Sequence, residues 1–280
     1  MKILEEENEL SVKKIEMNCD KIIQTKKGIS VAPPLCKTSH LYLFVGASGS
    51  GKTNLVMSLL KRRSKTSKGD QFSYSKMFDN IVFVSPSAHT IKNNPLEHLD
   101  DNKKFNHFTD DVIDTVEELT EDAVEDDIHT LLILDDVSSE LRKSKPLTQR
   151  LNILTKNRRH KNLSIWIIGH RIYDFDPALR ANASLLFVFK PKSIKEVDVL
   201  RNEFMNMNIE DARNVLDYVF EKKFTFLMID ASLRHSGNFE FFKNFNKLNL
   251  IKEEKELSNN IVNGGKEKDQ KTESKEGAEK

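Results

Sequence analysis

Eight consecutive residues constrain this chain more than any others. Gly46-Ala47-Ser48-Gly49-Ser50-Gly51-Lys52-Thr53 match the pattern GxxxxGK[ST], and they stand between a strand-like run, Leu41 to Val45, and a helix-like segment. Glycines at these places let the backbone turn so tightly that consecutive amide N–H groups and a helix N-terminus face the phosphates of a nucleotide. Lys52 is then expected to reach the β- and γ-phosphate oxygens, and the Thr53 hydroxyl to ligate Mg2+ beside ATP. The competing reading is a chance glycine-rich turn. Against it, three of the ten glycines in the chain fall inside this one motif, and the flanking strand and helix are what the mechanism requires.

The rest of the sequence supplies a sheet for such a loop. Aliphatic and aromatic runs recur at Leu41 to Val45, Ile81 to Val84, Leu131 to Leu134, Ser164 to Ile168, Leu185 to Phe189 and Phe224 to Ile229. Helix-like stretches from Lys52 to Arg63, Val112 to Leu119, Leu147 to Asn157, Ile194 to Met205 and Ile209 to Phe220 separate them. Such alternation predicts an α/β fold with a central, mainly parallel sheet, because parallel neighbours need crossover helices. A length of 280 residues suits one such domain with ragged ends. Residues 1–37, ending in Pro33-Pro34, read as an N-terminal extension, residues 38–251 as the domain, and residues 252–280 as a disordered charged tail too poor in apolar residues to fold. No run approaches the roughly 18 apolar residues of a membrane span, and the N-terminus lacks the apolar stretch of a signal peptide, so an intracellular location without membrane insertion is expected. Cys19 and Cys36 are too few for a disulfide framework and are expected to be ordinary thiols.

Two further strand ends carry chemistry. Leu131-Leu132-Ile133-Leu134-Asp135-Asp136 is an apolar strand stopped by two carboxylates, the pattern of a Walker B strand. Asp135 would hold the Mg2+ shell and Asp136 would orient and polarise the attacking water. The bland alternative is a turn that opens on two aspartates, and the phosphate-binding motif upstream favours the chemical reading. Ser164 to Ile168 is a second apolar strand, ending in Gly169-His170. In P-loop ATPases that activate water with an acid beside Walker B, a strand of this kind lies between the Walker A and Walker B strands. His170 is the candidate γ-phosphate sensor, against a simple strand-capping role. The γ-phosphate also needs charge compensation, often from an arginine of a neighbouring subunit. Arg158 and Arg159 are the leading candidates and Arg180 the reserve, each weighed against a solvated surface charge.

Formal net charge is only +1, yet the charges are segregated. Asp110 to Asp127 contains no Lys or Arg. From Leu141 to Lys161 the charged residues are all basic: Arg142, Lys143, Lys145, Arg150, Lys156, Arg158, Arg159 and Lys161. Such blocks can build surfaces of opposite sign.

Four segments together resemble the packaging ATPases of the FtsK/HerA superfamily, in the poxvirus-like branch of large eukaryotic DNA viruses, virophages and related transposons. They are LYLFVGASGSGKTNL, LLILDDV, KNRRHKNLSIWIIGH and DPALRANASLLFVF, in that order over roughly residues 41–190. The first is common to many P-loop proteins; the later combination is far more specific. The resemblance implies a RecA-like ATPase domain acting in a homo-oligomeric ring that drives double-stranded DNA into a preformed capsid, in the host cytoplasm or a viral factory. That family usually carries Gln or Asn, often as Thr-Gln, where this chain has Gly169-His170. A DNA pump grips phosphates without reading bases, and Arg142, Lys143 and Lys145, shortly after the acidic strand end, are candidates for a loop coupling hydrolysis to that grip. Three other functions remain open at this point: another nucleic-acid motor such as a helicase or conjugation-type pump, a P-loop kinase with an arginine-rich lid, and a non-hydrolysing nucleotide-gated scaffold.

Overall fold

In the computed structural model of the chain, the described residues are 31, 33–61, 64–65, 71–72, 74–88, 94–232 and 239–250. Most of the expected extension and the whole tail from 252, with Cys19, lie outside them. The chain divides into two compact units, residues 1–248 and 249–280, and the fold is that of the first.

Nine strands make one sheet. They are β1 (Leu41–Val45), β2 (Asn80–Val84), β3 (Lys104–Phe105), β4 (Thr130–Asp135), β5 (Leu163–Gly169), β6 (Leu185–Phe189), β7 (Phe226–Asp230), β8 (Glu240–Lys243) and β9 (Asn246–Leu248), in the spatial order β9-β8-β7-β6-β1-β5-β4-β2-β3. From β6 to β3 every pair is parallel, whereas β7, β8 and β9 are antiparallel to their neighbours. The helices are α1 (Lys52–Lys61), α2 (Asp110–Leu119), α3 (Ser138–Lys143), α4 (Lys145–Asn157), α5 (Pro177–Asn182), α6 (Ile194–Leu200) and α7 (Ile209–Val219). The expected last strand is thus antiparallel, and the connection before it accounts for that. One helix returns the chain to the start of the sheet, but α6 and α7 are two, so β7 begins at the end where β6 finished.

Side chains alternate across the strands and bury both faces. Leu41, Leu43 and Val45 of β1 join Leu132 and Leu134, Ile165 and Ile167, and Leu186 and Val188 on one face, under residues of α2, α4 and α7 such as Val116, Leu151 and Leu216. Tyr42 and Phe44 join Ile133, Trp166 and Phe187 on the other, under Val56, Leu59 and Leu60 of α1 and the segment Tyr74 to Phe78. Burial on both sides is why these strands read as continuous apolar runs. Phe44 and Phe187 stack at 4.6 Å between centroids, and Tyr42 and Trp166 at 5.7 Å. Trp166 donates its indole N–H to His40 Nε2 at 2.9 Å, and burial pulls the His40 imidazole down to about 3. Packing already includes part of the expected extension: Val31 is buried, Leu35 and Cys36 lie against the second face, and burial pushes the Cys36 thiol up to about 12.

Local signals set the helix boundaries. Ser144 caps α4 by accepting from Leu147 N at 3.3 Å, with Pro146 in the first turn where its missing N–H costs nothing. Ser193 and Glu196 form a capping box at α6, and Asn208 accepts from Asp211 N at 2.8 Å at the start of α7. The helix expected from Ile194 to Met205 is regular only to Leu200, after which Arg201–Met205 widens into a π turn. Among the charged blocks, Arg150 of α4 reaches Asp110 at 2.9 Å, Asp114 at 2.7 Å and Glu117 at 2.9 Å, all on α2. The acidic and basic stretches therefore meet at Arg150.

Candidate nucleotide site

The site is built where β1, β5 and β4 end side by side, with β5 in the middle. This is the predicted arrangement of Walker A, sensor and Walker B strands. Backbone hydrogen bonds lace the three ends together: Gly46 N donates to Gly169 O at 3.3 Å, and Asp136 N donates to Ile168 O at 3.2 Å.

Gly46 to Thr53 form a turn leading into α1, whose first residue is Lys52. A Cβ at Gly46 would lie 2.6 Å from the Cβ of Phe189 on β6, so any other residue would push the loop off the sheet. Gly51 has φ +106°, which side-chain-bearing residues rarely adopt. Lys52 curls back along the loop, donating to the carbonyls of Gly46 at 2.6 Å and Ala47 at 2.9 Å. Burial lowers its pKa, and the charges of Asp135 and Asp136 oppose that shift, which places all three side chains in one electrostatic neighbourhood. The Ser50 hydroxyl is buried inside the loop without a hydrogen-bond partner, a polar atom that a phosphate oxygen would satisfy. The cradle thus fits a nucleotide phosphate chain.

Asp135 ends β4 and is 7% exposed. Burial raises its pKa, and a hydrogen bond from Ser85 Oγ to Asp135 Oδ2 at 3.0 Å works in the opposite sense. Ser85 follows β2 directly and is fully buried. Sequence reading passed it over, although Ser85-Pro86-Ser87 stops an apolar strand with polar residues much as the other two strand ends do. Asp136 takes a left-handed backbone, φ +56°, which turns its carboxylate out of the strand into a half-exposed position. There Asp136 Oδ1 stands 3.2 Å from His170 Nε2. A buried carboxylate that feels the charge of Lys52 and an accessible one paired with His170 suit metal holding and water orientation respectively.

Gly169-His170 close the sensor-candidate strand, and the structure supplies a reason for the glycine. The ring of Phe175 fills the place of a side chain: a Cβ on Gly169 would lie 2.6 Å from Phe175 Cζ. Beyond His170 a cleft of about 320 Å3 opens, bounded by Ala47 and Ser48 of the loop and by Arg171, Tyr173, Lys190 and Lys192.

The three arginine candidates separate. Arg158 is buried, with Nε donating to Ser39 O at 3.0 Å, Nη1 to Thr155 O at 2.8 Å and Nη2 to Asn182 O at 3.4 Å. Ser39 precedes β1, so this guanidinium is at the end of the sheet opposite the phosphate loop, and burial pulls its pKa down to about 10. It is a strut between β1, α4 and α5, not an arginine that can extend into another subunit. Arg180 is likewise held, donating to both carboxylate oxygens of Glu203 at 2.8 Å and to Phe175 O at 2.6 Å. Arg159 is exposed. Arg142 and Lys143 end α3 and Lys145 opens α4, so the expected basic loop is a helical corner; its three residues are exposed, and Arg142 lies 3.5 Å from Asp174.

Among the described residues no helix is long and apolar enough to cross a membrane, and no group of three or more His, Cys, Asp or Glu side chains could hold a metal. A metal at this site would depend on Thr53, Asp135 and the phosphates themselves.

Solved structures similar to the chain include the DNA-packaging ATPase B204 from Sulfolobus turreted icosahedral virus, at 15% identity over 74% of this chain and 98% of that one, with a TM-score of 0.49. The genome packaging NTPase B204 from Sulfolobus turreted icosahedral virus 2 in complex with AMPPCP matches at 16% identity over 73% and 97%, with a TM-score of 0.47. The cytoplasmic domain of the type VII secretion ATPase EccC from Thermomonospora curvata matches at 13% over 77% of this chain but 26% of its own length, with a TM-score of 0.48. No curated protein matches the sequence significantly. Residues 34–238 match the family model described as poxvirus A32 protein. That span takes in the phosphate loop, both aspartates and the sensor strand, and the chain belongs to the poxvirus A32 protein family, the packaging-ATPase branch that its four segments resemble.

Proposed function

We propose that this protein hydrolyses ATP with Mg2+ and uses the energy, as a homo-oligomeric ring, to drive double-stranded viral DNA into a preformed capsid. The observation that carries the ATPase part is the convergence of Lys52, Asp135 and the Asp136–His170 pair at three adjacent strand ends beside the phosphate cradle. Amides of Ala47 to Thr53 and the start of α1 bind the phosphates, and Lys52 shifts from the loop carbonyls to the β- and γ-oxygens. Thr53 and Asp135 hold Mg2+, which supplies charge neutralisation at the phosphates. Asp136 orients the attacking water, and His170 ties that carboxylate to the sensor strand. Arg159, the exposed member of the arginine pair, is the candidate to reach a neighbouring subunit's γ-phosphate. Family membership supports the DNA load and the ring, and the exposed corner of Arg142, Lys143 and Lys145 offers phosphate contacts independent of sequence.

The test is phosphate release by purified protein with and without long duplex DNA, beside Lys52→Ala and Asp136→Asn. Stimulation by DNA and loss of turnover in both variants are expected. Turnover indifferent to DNA would point instead to the kinase, and absence of turnover in the wild type to the scaffold. DNA protection from nuclease by added capsids would separate packaging from another kind of nucleic-acid motor.

A further inference from the structure

One aromatic ring beside the phosphate loop has no role in packing the core. Phe224 is 73% exposed and sits at φ +62°, a conformation that bulky residues avoid. Its turn is nevertheless firmly held. Thr225 Oγ1 donates to Val219 O at 2.7 Å and Lys222 O at 2.9 Å, and Phe226 N donates to Asn244 Oδ1 at 3.1 Å. A strained backbone that keeps an apolar ring in water is sustained at the expense of stability, which is common where a ligand is clamped.

The ring lines a cavity of about 390 Å3. Gly51 of the phosphate loop, Asn54, Leu55 and Ser58 of α1, and Phe189 and Phe226 line it with Phe224. A Cβ placed on Gly51 would lie 3.5 Å from the Phe189 ring and 3.9 Å from Phe224 Cδ1, so the cavity begins inside the cradle itself. We infer that Phe224 is the stacking platform for the purine base of the bound nucleotide, with Phe189 and Phe226 beneath it. The inference rests on the nucleotide reading above and extends it to the base. Among the described residues, Asn54 and Ser58 are the polar side chains lining the cavity. Recognition by an aromatic face with so few edge contacts favours two-ring bases over one-ring bases while distinguishing adenine from guanine weakly.

Displacement of a fluorescent ATP from the full-length protein by ATP, GTP, CTP and inorganic tripolyphosphate tests this. In the wild type, ATP and GTP should compete within about threefold of each other and CTP more weakly. Phe224→Ala should weaken ATP about tenfold and leave tripolyphosphate unchanged, while Phe224→Tyr keeps the wild-type values. Equal weakening of ATP and tripolyphosphate, or no change for either, would overturn the assignment while leaving the phosphate site intact. Loss of self-association with ATP affinity preserved would also overturn it, assigning the ring to a contact between copies of the chain. Wild-type protein that binds neither ATP nor tripolyphosphate would remove the nucleotide reading itself, and this inference with it.

Discussion

His170 Nε2 lies 3.2 Å from Asp136 Oδ1, so the residues that directly follow β5 and β4 are joined by side chains, beside the backbone bond from Asp136 N to Ile168 O. The proposed sensor and the proposed water-orienting group are therefore in direct contact. His170→Ala should lower kcat about 100-fold, as removal of a transition-state donor does, while the KM for ATP stays within about threefold. His170→Gln, which can keep one hydrogen bond to Asp136, should recover part of the loss. Steady-state phosphate release measures both, and an unchanged kcat in His170→Ala would exclude the pair from catalysis.

Arg158 and Arg159 are neighbours with opposite surroundings, and mutation should separate them. Arg158→Ala leaves the carbonyls of Ser39, Thr155 and Asn182 without their donor, at a cost of about 2–3 kcal/mol. Its melting temperature should fall by about 5–10 °C. Arg159→Ala should melt within about 1 °C of the wild type, since exposed charges contribute little, yet lose turnover by about 100-fold or more. Mixing it with Lys52→Ala should restore some activity if the arginine acts across subunits. An Arg159→Ala protein with wild-type turnover would leave the finger to another residue.

Acid should affect Asp135 before it affects an ordinary carboxylate. Burial raises its pKa from 3.8, so as pH falls the folded protein takes up this proton earlier than the unfolded chain. Loss of the charge weakens metal holding, and ATPase activity should drop on that limb. Stability moves in the opposite sense: the burden of the buried charge is fully present above the raised pKa and fades as pH falls through it towards 3.8. Asp135→Asn should therefore melt above the wild type at neutral pH and lose that advantage on acidification. Ser85→Ala removes the hydrogen bond that lowers this pKa and should move the acid limb of the wild-type rate profile upward. A rate profile identical in the two proteins would detach Ser85 from Asp135.

Salt dependence tests the basic corner at Arg142, Lys143 and Lys145. Removing one side chain that neutralises a DNA phosphate should flatten the slope of log K against log[salt] by about 0.9. Replacing all three with Ala should flatten it by about 2, less than three full phosphate partners because Arg142 already has Asp174 at 3.5 Å. An unchanged slope, measured by fluorescence anisotropy on duplex DNA, would move the DNA-binding surface elsewhere.

The strands around the site were legible because each is an unbroken apolar run with both faces covered. Leu41–Val45 and Leu185–Phe189 correspond residue for residue, and β5 falls between β1 and β4 as its polar end implied. What escaped depends on depth and partners. Arg158 looks in sequence like any member of a basic block, because composition does not record which guanidinium is turned inward. Ser85 meets Asp135 across 50 positions, a pairing with no periodicity to reveal it. The helices α3 and α5 span six residues each, too short for a repeating apolar face, and the antiparallel edge follows from the direction of a connection. Gly169 was conspicuous as a departure from the family pattern, but its explanation, the Phe175 ring, is a matter of packing.

The main-chain stitches that run from Gly46 to Gly169 and from Ile168 to Asp136 have a mechanical meaning. They deny the three strands independent travel, so a push arising at the terminal phosphate meets a stiff comb that can tilt as a piece but hardly shear. On that footing a stroke would pass to the rest of the molecule through the turns and short helices that leave the comb.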